Sequence, residues 1–144
     1  MSNTLYGQDF HAWTSRQATL LRAGAFDQAD IDNIAEEIEA MGRSERRELV
    51  SRLSQLLLHL LKWRYQPGLR GASWRLTIEE QRDPIAGHLR DNPSLKSHLD
   101  QAMDDAYRWA RRRAGHETGL ADSSFPKLCP FPFNEAIDPS FWPT

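Results

Sequence analysis

The longest apolar-periodic run in the chain lies between Ser44 and Pro67, SERRELVSRLSQLLLHLLKWRYQP. Its large apolar side chains recur at helical spacing and form one broad stripe: Leu49, Leu53, Leu56, Leu57, Leu60 and Trp63. Ser44 is a suitable N-cap, and Glu45 and Glu48 place negative charge in the first turn. The run therefore predicts a central helix, ended by Pro67, that other elements cover on most of its circumference.

Two helices are predicted before the central one. The first follows Asp9 as its N-cap and ends near Arg22. The second begins at Asp30 and ends at Gly42, a favourable residue just beyond a helix C-terminus. Its predicted core stripe consists of Ile31, Ile34, Ala35, Ile38 and Met41. Because only a very short turn would follow Gly42, we expect this helix and the central helix to be antiparallel neighbours or a kinked pair.

Two more helices are predicted after the central one. The fourth helix follows Ser73 as its N-cap and ends near Asp91, and Pro84 inside it should bend it. The fifth opens at Asn92-Pro93 and closes at Gly119. Apolar side chains at helical spacing give both helices a core face: Trp74, Ile78, Ile85 and Leu89 in the fourth, and Leu95, Leu99, Ala102, Met103, Ala106, Trp109 and Ala110 in the fifth.

The segment from Leu120 to Thr144 differs from the rest of the chain. Its five prolines exclude a long helix or a central strand, and its aromatic residues are too apolar for a disordered tail. We expect an extended arm with one helical turn near residues 134–137. The predicted fold is all-α: one domain over residues 1–144, a bundle of about five helices on which this proline- and aromatic-rich C-terminal arm (about residues 120–144) packs.

Composition limits the classes of function. The formal net charge is −2, so the chain as a whole has no field that attracts nucleic acid or anionic membrane. The single cysteine, Cys129, excludes an internal disulfide framework and indicates a reducing compartment. The N-terminal residues have neither the basic nor the apolar region of a signal peptide, and no apolar run approaches the ~20 residues that span a bilayer. We therefore expect a cytoplasmic protein without a membrane partner.

Several short motifs are distributed along the chain. They include AEEIEAMGRSE at residues 35–45, HLLKWRYQP at residues 59–67, ETGL at residues 117–120 and FPKLCP at residues 125–130. Together these motifs resemble one known bacterial family, the domain of unknown function 29. The resemblance extends over nearly the whole chain. It implies a bacterial protein with a single helical domain, and because the family has no established activity, it implies no function. Pro84 and the triple arginine at residues 111–113 are less typical of the family.

A polar cluster on the central helix is the strongest candidate for a site. His59, Lys62 and Gln66 are spaced three and four residues apart, which places them along one side of the helix. Glu37, on the preceding predicted helix, is the expected countercharge. We interpret the cluster as partly buried, with fixing the register of the helices as its favoured role and lining a ligand or metal site as the alternative. The Glu-x-x-His pairs of di-metal bundles are absent from the sequence, and two ligands are too few for a metal ion, so neither a metal nor a cofactor is predicted.

Other chemistries have weaker signals. Cys129 lies among apolar residues and prolines with no adjacent base, which is typical of a small buried side chain. The glycines at positions 68 and 71 precede a helix N-terminus and Arg75, but their spacing fits no phosphate-binding motif. The basic run at residues 108–116 follows Asp104 and Asp105 at pairing distance and ends a helix. Nucleic acid is therefore a disfavoured partner.

Two hypotheses about function follow. The first is a non-enzymatic module that binds another protein or a second copy of itself, because it requires the fewest coincidences. The alternative is a small-molecule or metal-binding site, with or without catalysis, around Glu37, His59 and Lys62. An exposed apolar patch on a solid bundle would favour the first, and convergent polar groups in a concave site would favour the second. The sequence does not decide whether any reaction is catalysed.

Overall fold

The computed structural model describes residues 2–144, with side chains from Leu5 onward. Within these residues the secondary structure is entirely helical, so the predicted all-α class is confirmed. Contacts divide the chain into two compact units, residues 1–44 and residues 45–144. The expectation that residues 1–144 form one domain stays a prediction. None of the described helices is long and apolar enough to cross a membrane.

Two short helices begin the first unit. Helix α1 spans Ser2–Gln8, and the sequence analysis did not predict it. Helix α2 spans Phe10–Arg22, as predicted, and the carboxylate of Asp9 accepts a hydrogen bond from the amide of Ala12 at 3.0 Å. This bond satisfies one of the free amides of the first helical turn, which confirms the predicted N-cap.

A single long helix, α3, spans Ile31–Tyr65. The predicted break near Gly42 is wrong, since Gly42 and Ser44 both lie inside this helix. One glycine raises the free energy of a helix by only about 1 kcal/mol relative to alanine, and Ser44 has no proline beside it to force an end. The chain therefore continues as one helix, and Glu45 and Glu48 occupy its middle rather than a first turn.

The helices after α3 follow the predicted order with shifted bounds. A 3₁₀ turn at Pro67–Leu69 leads to helix α4, Ala72–Asp91, whose N-cap is Gly71 rather than Ser73. Helix α4 continues through Pro84, while the expected bend stays a prediction. Residues 93–98 form a 3₁₀ helix instead of opening the last long helix. Helix α5 spans Leu99–Thr118 and ends at Gly119, whose φ of 74° provides the left-handed C-cap that glycine adopts without strain.

The core of the second unit forms where α3, α4 and α5 meet. Every member of the predicted central stripe, from Leu49 to Trp63, is buried. Helix α5 contributes small side chains four residues apart, which allow close approach of the neighbouring helices: Ala102, Ala106, Ala110 and Ala114. Trp109, predicted to be in this core, is instead 41% exposed.

The C-terminal segment supplies large side chains to the same core. Phe125 and Phe131 are almost completely buried, and a short helix α6 spans Phe133–Ala136. Tyr107 donates a hydrogen bond to the carbonyl of Pro126 at 2.5 Å, and burial raises the pKa of Tyr107 to about 12. Burial also raises the pKa of the Cys129 thiol, which therefore stays protonated and unreactive at neutral pH.

Candidate functional site

One of the predicted polar side chains of the central helix, Lys62, joins a network that connects three helices. The ammonium of Lys62 on α3 lies 2.7 Å from a carboxylate oxygen of Glu117 on α5. Arg113 binds the other oxygen of the same carboxylate, also at 2.7 Å. Lys62 also lies over the ring of Trp74 on α4, 5.0 Å from its centroid, at the distance of a cation–π contact. Glu117 therefore provides the countercharge that was predicted for Glu37.

Glu37 has a different partner. It accepts a hydrogen bond from the hydroxyl of Tyr6 on α1, within the first unit. Because α3 is continuous, Glu37 lies on the same helix as His59, about six helical turns before it. The expected proximity required a turn at Gly42, and that turn does not exist. Gln66 follows the end of α3, and its backbone amide bonds the carbonyl of Lys62 at 2.9 Å.

His59 is held by its own helix. Its Nδ1 atom lies 2.8 Å from the carbonyl oxygen of Gln55. A carbonyl can only accept, so we assign the proton to Nδ1 and the lone pair to Nε2. Burial, and to a smaller extent the Lys62 cation, lower the pKa of His59. The imidazole is therefore neutral at pH 7.

The ion pairs around Glu117 leave its carboxylate little capacity to act as an acid or a base. Hydrogen bonds from Lys62, and then from Arg113, hold the pKa of Glu117 below its usual range, so the group remains a carboxylate. A carboxylate with a cation on each oxygen is a poor proton acceptor. Among the described residues, no group of three or more His, Cys, Asp or Glu side chains could hold a metal ion.

The structure reveals a second histidine that the sequence analysis did not single out. His88 on α4 is 8% exposed, and its Nε2 atom lies 2.8 Å from the carbonyl oxygen of Glu45. The carboxylate of Glu48 lies 3.4 Å from the other ring nitrogen. The sequence feature that could have pointed to this histidine is the pair Glu45 and Glu48, three residues apart on α3. The sequence analysis interprets them as charges of a first helical turn. They form part of the contact between α3 and α4.

Arginines on α4 hold the C-terminal segment. Arg82 is 3% exposed and donates to the carbonyl oxygens of Ala136 at 2.9 Å and Phe141 at 2.6 Å. The guanidinium groups of Arg75 and Arg82 lie 4.6 and 5.2 Å from the centroid of the Trp142 ring. These contacts tie the arm to α4 through backbone carbonyls and one aromatic ring, so the arginines serve packing here.

Much of the basic run on α5 is also engaged. Arg111 donates to the carbonyl oxygens of Asp122 and Phe125, at 2.8 and 3.2 Å for its Nη2 atom. Arg113 binds Glu117, and Arg108 lies 3.6 Å from a carboxylate oxygen of Asp105. Arginine side chains that already contact carbonyl or carboxylate oxygens of the same chain are poorly placed to neutralise phosphates.

An apolar surface that the fold does not explain lies on the N-terminal part of α3. Four apolar side chains spaced three, four and three residues apart occupy one side of the helix, and we call them the exposed stripe: Ile31, Ile34, Ile38 and Met41. Ile31, Ile38 and Met41 are 51%, 59% and 61% exposed, and Ile34 is partly buried. Ala35, the fifth member of the predicted core stripe, is exposed as well, so the predicted burial is wrong for four of its five members.

Helices α1 and α2 use a different side of α3. Trp13 donates from its indole nitrogen to the carboxylate of Asp30 at 3.0 Å, and Gln17 accepts from the backbone amide of Asp30 at 2.7 Å. Tyr6 donates a hydrogen bond to Glu37, which lies seven residues, or about two helical turns, after Asp30. Asp30 and Glu37 lie about a quarter turn from the exposed stripe. The first unit thus packs a polar side of α3 inward and leaves its apolar side uncovered.

Comparison with known proteins identifies the family. A family model described as Domain of unknown function DUF29 matches residues 5–142. The chain belongs to this family. No curated protein and no solved structure matched it. DUF29 membership confirms the resemblance found in the sequence, and since the family description assigns no activity, function has to be inferred from the geometry above.

Proposed function

We propose that the chain is a non-enzymatic protein-interaction module that binds its partner through the exposed stripe. The observation that supports this most is that three large apolar side chains on one face of α3 are each more than half exposed. An isolated exposed apolar residue is ordinary, but a row of them on one helical face is characteristic of an interaction surface.

The polar cluster gives less support to the alternative of a ligand or metal site. Lys62 and Glu117 neutralise each other at 2.7 Å, and His59 is bonded within its own helix. A binding site for a small molecule would need polar groups that are free to converge on the ligand. Here they converge on one another, which fits the role of fixing three helices together.

Site-specific photo-crosslinking tests the proposal. A photoreactive amino acid replaces Ile38 in the exposed stripe, or Leu128 as the control, and the variants are irradiated in cells that naturally produce the protein. Leu128 is 83% exposed but lies in the C-terminal segment, outside the stripe. We expect a discrete protein adduct, identified by mass spectrometry, from position 38 and not from position 128. Absence of an adduct at position 38, or identical adducts at both positions, would contradict the proposal.

A further inference from the structure

The spacing of the exposed stripe is self-complementary. Ile31, Ile34, Ile38 and Met41 follow the three–four–three spacing of a and d positions in a heptad. This spacing is the same in both directions along the chain. A second copy of α3 that runs antiparallel to the first therefore places Met41 opposite Ile31 and Ile38 opposite Ile34. Each large apolar side chain of the stripe then meets another one across the contact.

The acidic side chains of this part of α3 lie on the opposite side of the helix from the stripe. Asp32, Glu36 and Glu39 are each about a third of a turn or more away from the centre of the stripe. They do not face a helix that packs on the stripe. Their charge therefore neither selects a cationic partner nor repels a second copy of the chain.

The residues directly beside the stripe are small on one side and already bonded on the other. Ala35 and Gly42, at heptad e positions, are exposed. Asp30 and Glu37, at g positions, accept hydrogen bonds from side chains of α2 and α1. Charged side chains at e and g positions normally select the partner of a helix pair. The partner that fits here has an apolar contact surface without selecting charges, and the stripe of a second copy is such a surface.

The small side chains favour the antiparallel orientation. In an antiparallel helix pair, e positions face e positions, whereas in a parallel pair they face the g positions of the other helix. Antiparallel packing brings Ala35 and Gly42 of both copies together, where the two backbones can approach closely. Parallel packing would place them against Asp30 and Glu37 of the second copy, on the side of α3 that α1 and α2 use.

On the basis of the proposed function, we infer that the partner of the exposed stripe is a second copy of the same chain, with the two α3 helices packed antiparallel along residues 31–41. The contact is related by a two-fold axis, so each copy covers the four apolar side chains of the other with the same four. Two-fold dimers are the commonest oligomers of soluble proteins. The contact extends over only about 15 Å of α3, so we expect a reversible dimer.

A face on α5 provides the competing route to self-association. Trp109 is 41% exposed there, and Asp104 and Asp105 precede Arg108 and Arg112 along the helix. An antiparallel contact through this face would depend on exposed ion pairs around one apolar anchor. Salt would weaken such a contact, whereas a contact through the exposed stripe has no ion pair for salt to screen.

Sedimentation equilibrium of the purified full-length protein tests the inference. We expect a dimer whose dissociation constant increases at least about tenfold in Ile38→Glu, because the two-fold axis places this charge in the apolar contact twice. Leu128→Glu makes the same change at a site that is 83% exposed and lies outside the stripe, and it should leave the dissociation constant unchanged. Circular dichroism checks that both variants remain folded.

Three results would overturn the inference. The first is a monomer at the highest concentration at which the protein stays soluble. The second is an equal effect of Ile38→Glu and Leu128→Glu on the dissociation constant. The third is a dimer that dissociates in high salt and that Ile38→Glu leaves intact, which would assign self-association to the charged face of α5.

Disulfide formation tests the antiparallel orientation. Ile34→Cys and Ile38→Cys are prepared separately in a Cys129→Ser background, one of them with a mass tag, and each is treated with a mild oxidant alone and in an equimolar mixture. Positions 34 and 38 oppose each other in the inferred dimer, within reach of a disulfide. We expect linked heterodimers in the mixture to exceed the linked homodimers of either variant. An excess of homodimers would indicate a parallel pair and would overturn the inference.

The outcomes separate this inference from the proposed function. A crosslink from position 38 to a different protein, together with a monomeric purified chain, would keep the interaction module and reject the second copy. A crosslink from position 38 to a second copy, together with dissociation by Ile38→Glu, would support both. A monomeric chain without any crosslink at position 38 would reject both.

Discussion

Among the described side chains, twenty apolar residues are buried between residues 45 and 144, whereas between residues 5 and 44 one apolar residue is buried, Trp13. The difference is far larger than the roughly twofold difference in length between the two regions. The large apolar side chains that are exposed show the reverse distribution, with six of the ten before residue 45. Similar helical patterns in the sequence thus lead to a packed core in one region and to uncovered apolar surface in the other.

The two regions also use polar bonds differently. In residues 1–44, Asp30 and Glu37 connect α3 to Trp13, Gln17 and Tyr6 through hydrogen bonds. In residues 45–144, the Lys62–Glu117 pair supplements a core that already buries extensive apolar area. Since a hydrogen bond contributes about 1 kcal/mol net and a buried large apolar side chain ~1.5–3 kcal/mol, apolar burial stabilises the second region more than the first.

The largest expected effect compares one phenylalanine from each region. Phe131→Ala removes a ring that is 1% exposed and should lower the free energy of unfolding by about 3–5 kcal/mol. Phe10→Ala removes a ring that is 48% exposed and should cost about 1 kcal/mol or less. Urea denaturation monitored by circular dichroism measures both. Equal losses would mean that the first region depends on apolar burial as much as the second does.

A smaller effect concerns coupling across helices. A double-mutant cycle on Lys62→Met and Glu117→Gln should give a coupling energy on the order of 1 kcal/mol, because the pair is partly buried and directly bonded. The matched cycle on Glu37→Gln and His59→Ala should be additive to within about 0.5 kcal/mol, because these residues share no partner. Strong coupling in the second cycle would contradict this expectation and would support the contact between Glu37 and His59 that was predicted from the sequence.

Gly42 tests the continuity of α3. Gly42→Ala should raise the free energy of unfolding by about 0.5–1 kcal/mol, because an alanine β-carbon would meet open space and glycine is unfavourable inside a helix. The control is Gly119→Ala, which should destabilise the protein, since Gly119 has a positive φ. Thermal unfolding measures both changes. A loss of stability for Gly42→Ala would indicate that α3 needs a bend at this position.

The smallest expected effect is on pH dependence. Burial lowers the pKa of His59 in the folded state, so between that pKa and the ordinary value near 6.5 the unfolded chain binds more protons. Stability should therefore rise with pH up to about 7, and His59→Gln should flatten this part of the profile. Melting temperatures between pH 5 and pH 8 measure the slope, with His11→Gln, at an exposed position, as the control. An unchanged slope in His59→Gln would contradict the assignment.

Prediction from the sequence succeeded where a residue's neighbours along the helix decided its environment. The leucine stripe of α3, the N-cap at Asp9 and the C-cap at Gly119 all depend on local spacing and local backbone geometry, and all three are confirmed. The prediction failed at Gly42, because glycine only weakens a helix and the remaining residues on both sides favour it. The wrong placement of Glu37 beside His59 and Lys62 followed from that one error, because it required a turn at Gly42.

The sequence by itself determined the helical class, the family and the apolar stripes, since periodicity fixes which side chains share a face of a helix. The tertiary structure alone decided which stripes are covered. Leu49 and Ile38 belong to equally regular patterns, yet one is buried and the other is 59% exposed. Coverage depends on which helices pack on a given face, and that packing also selected Glu117 as the partner of Lys62 and placed His88 between Glu45 and Glu48. Contacts between residues that are distant in the chain leave no periodic signal in a single sequence.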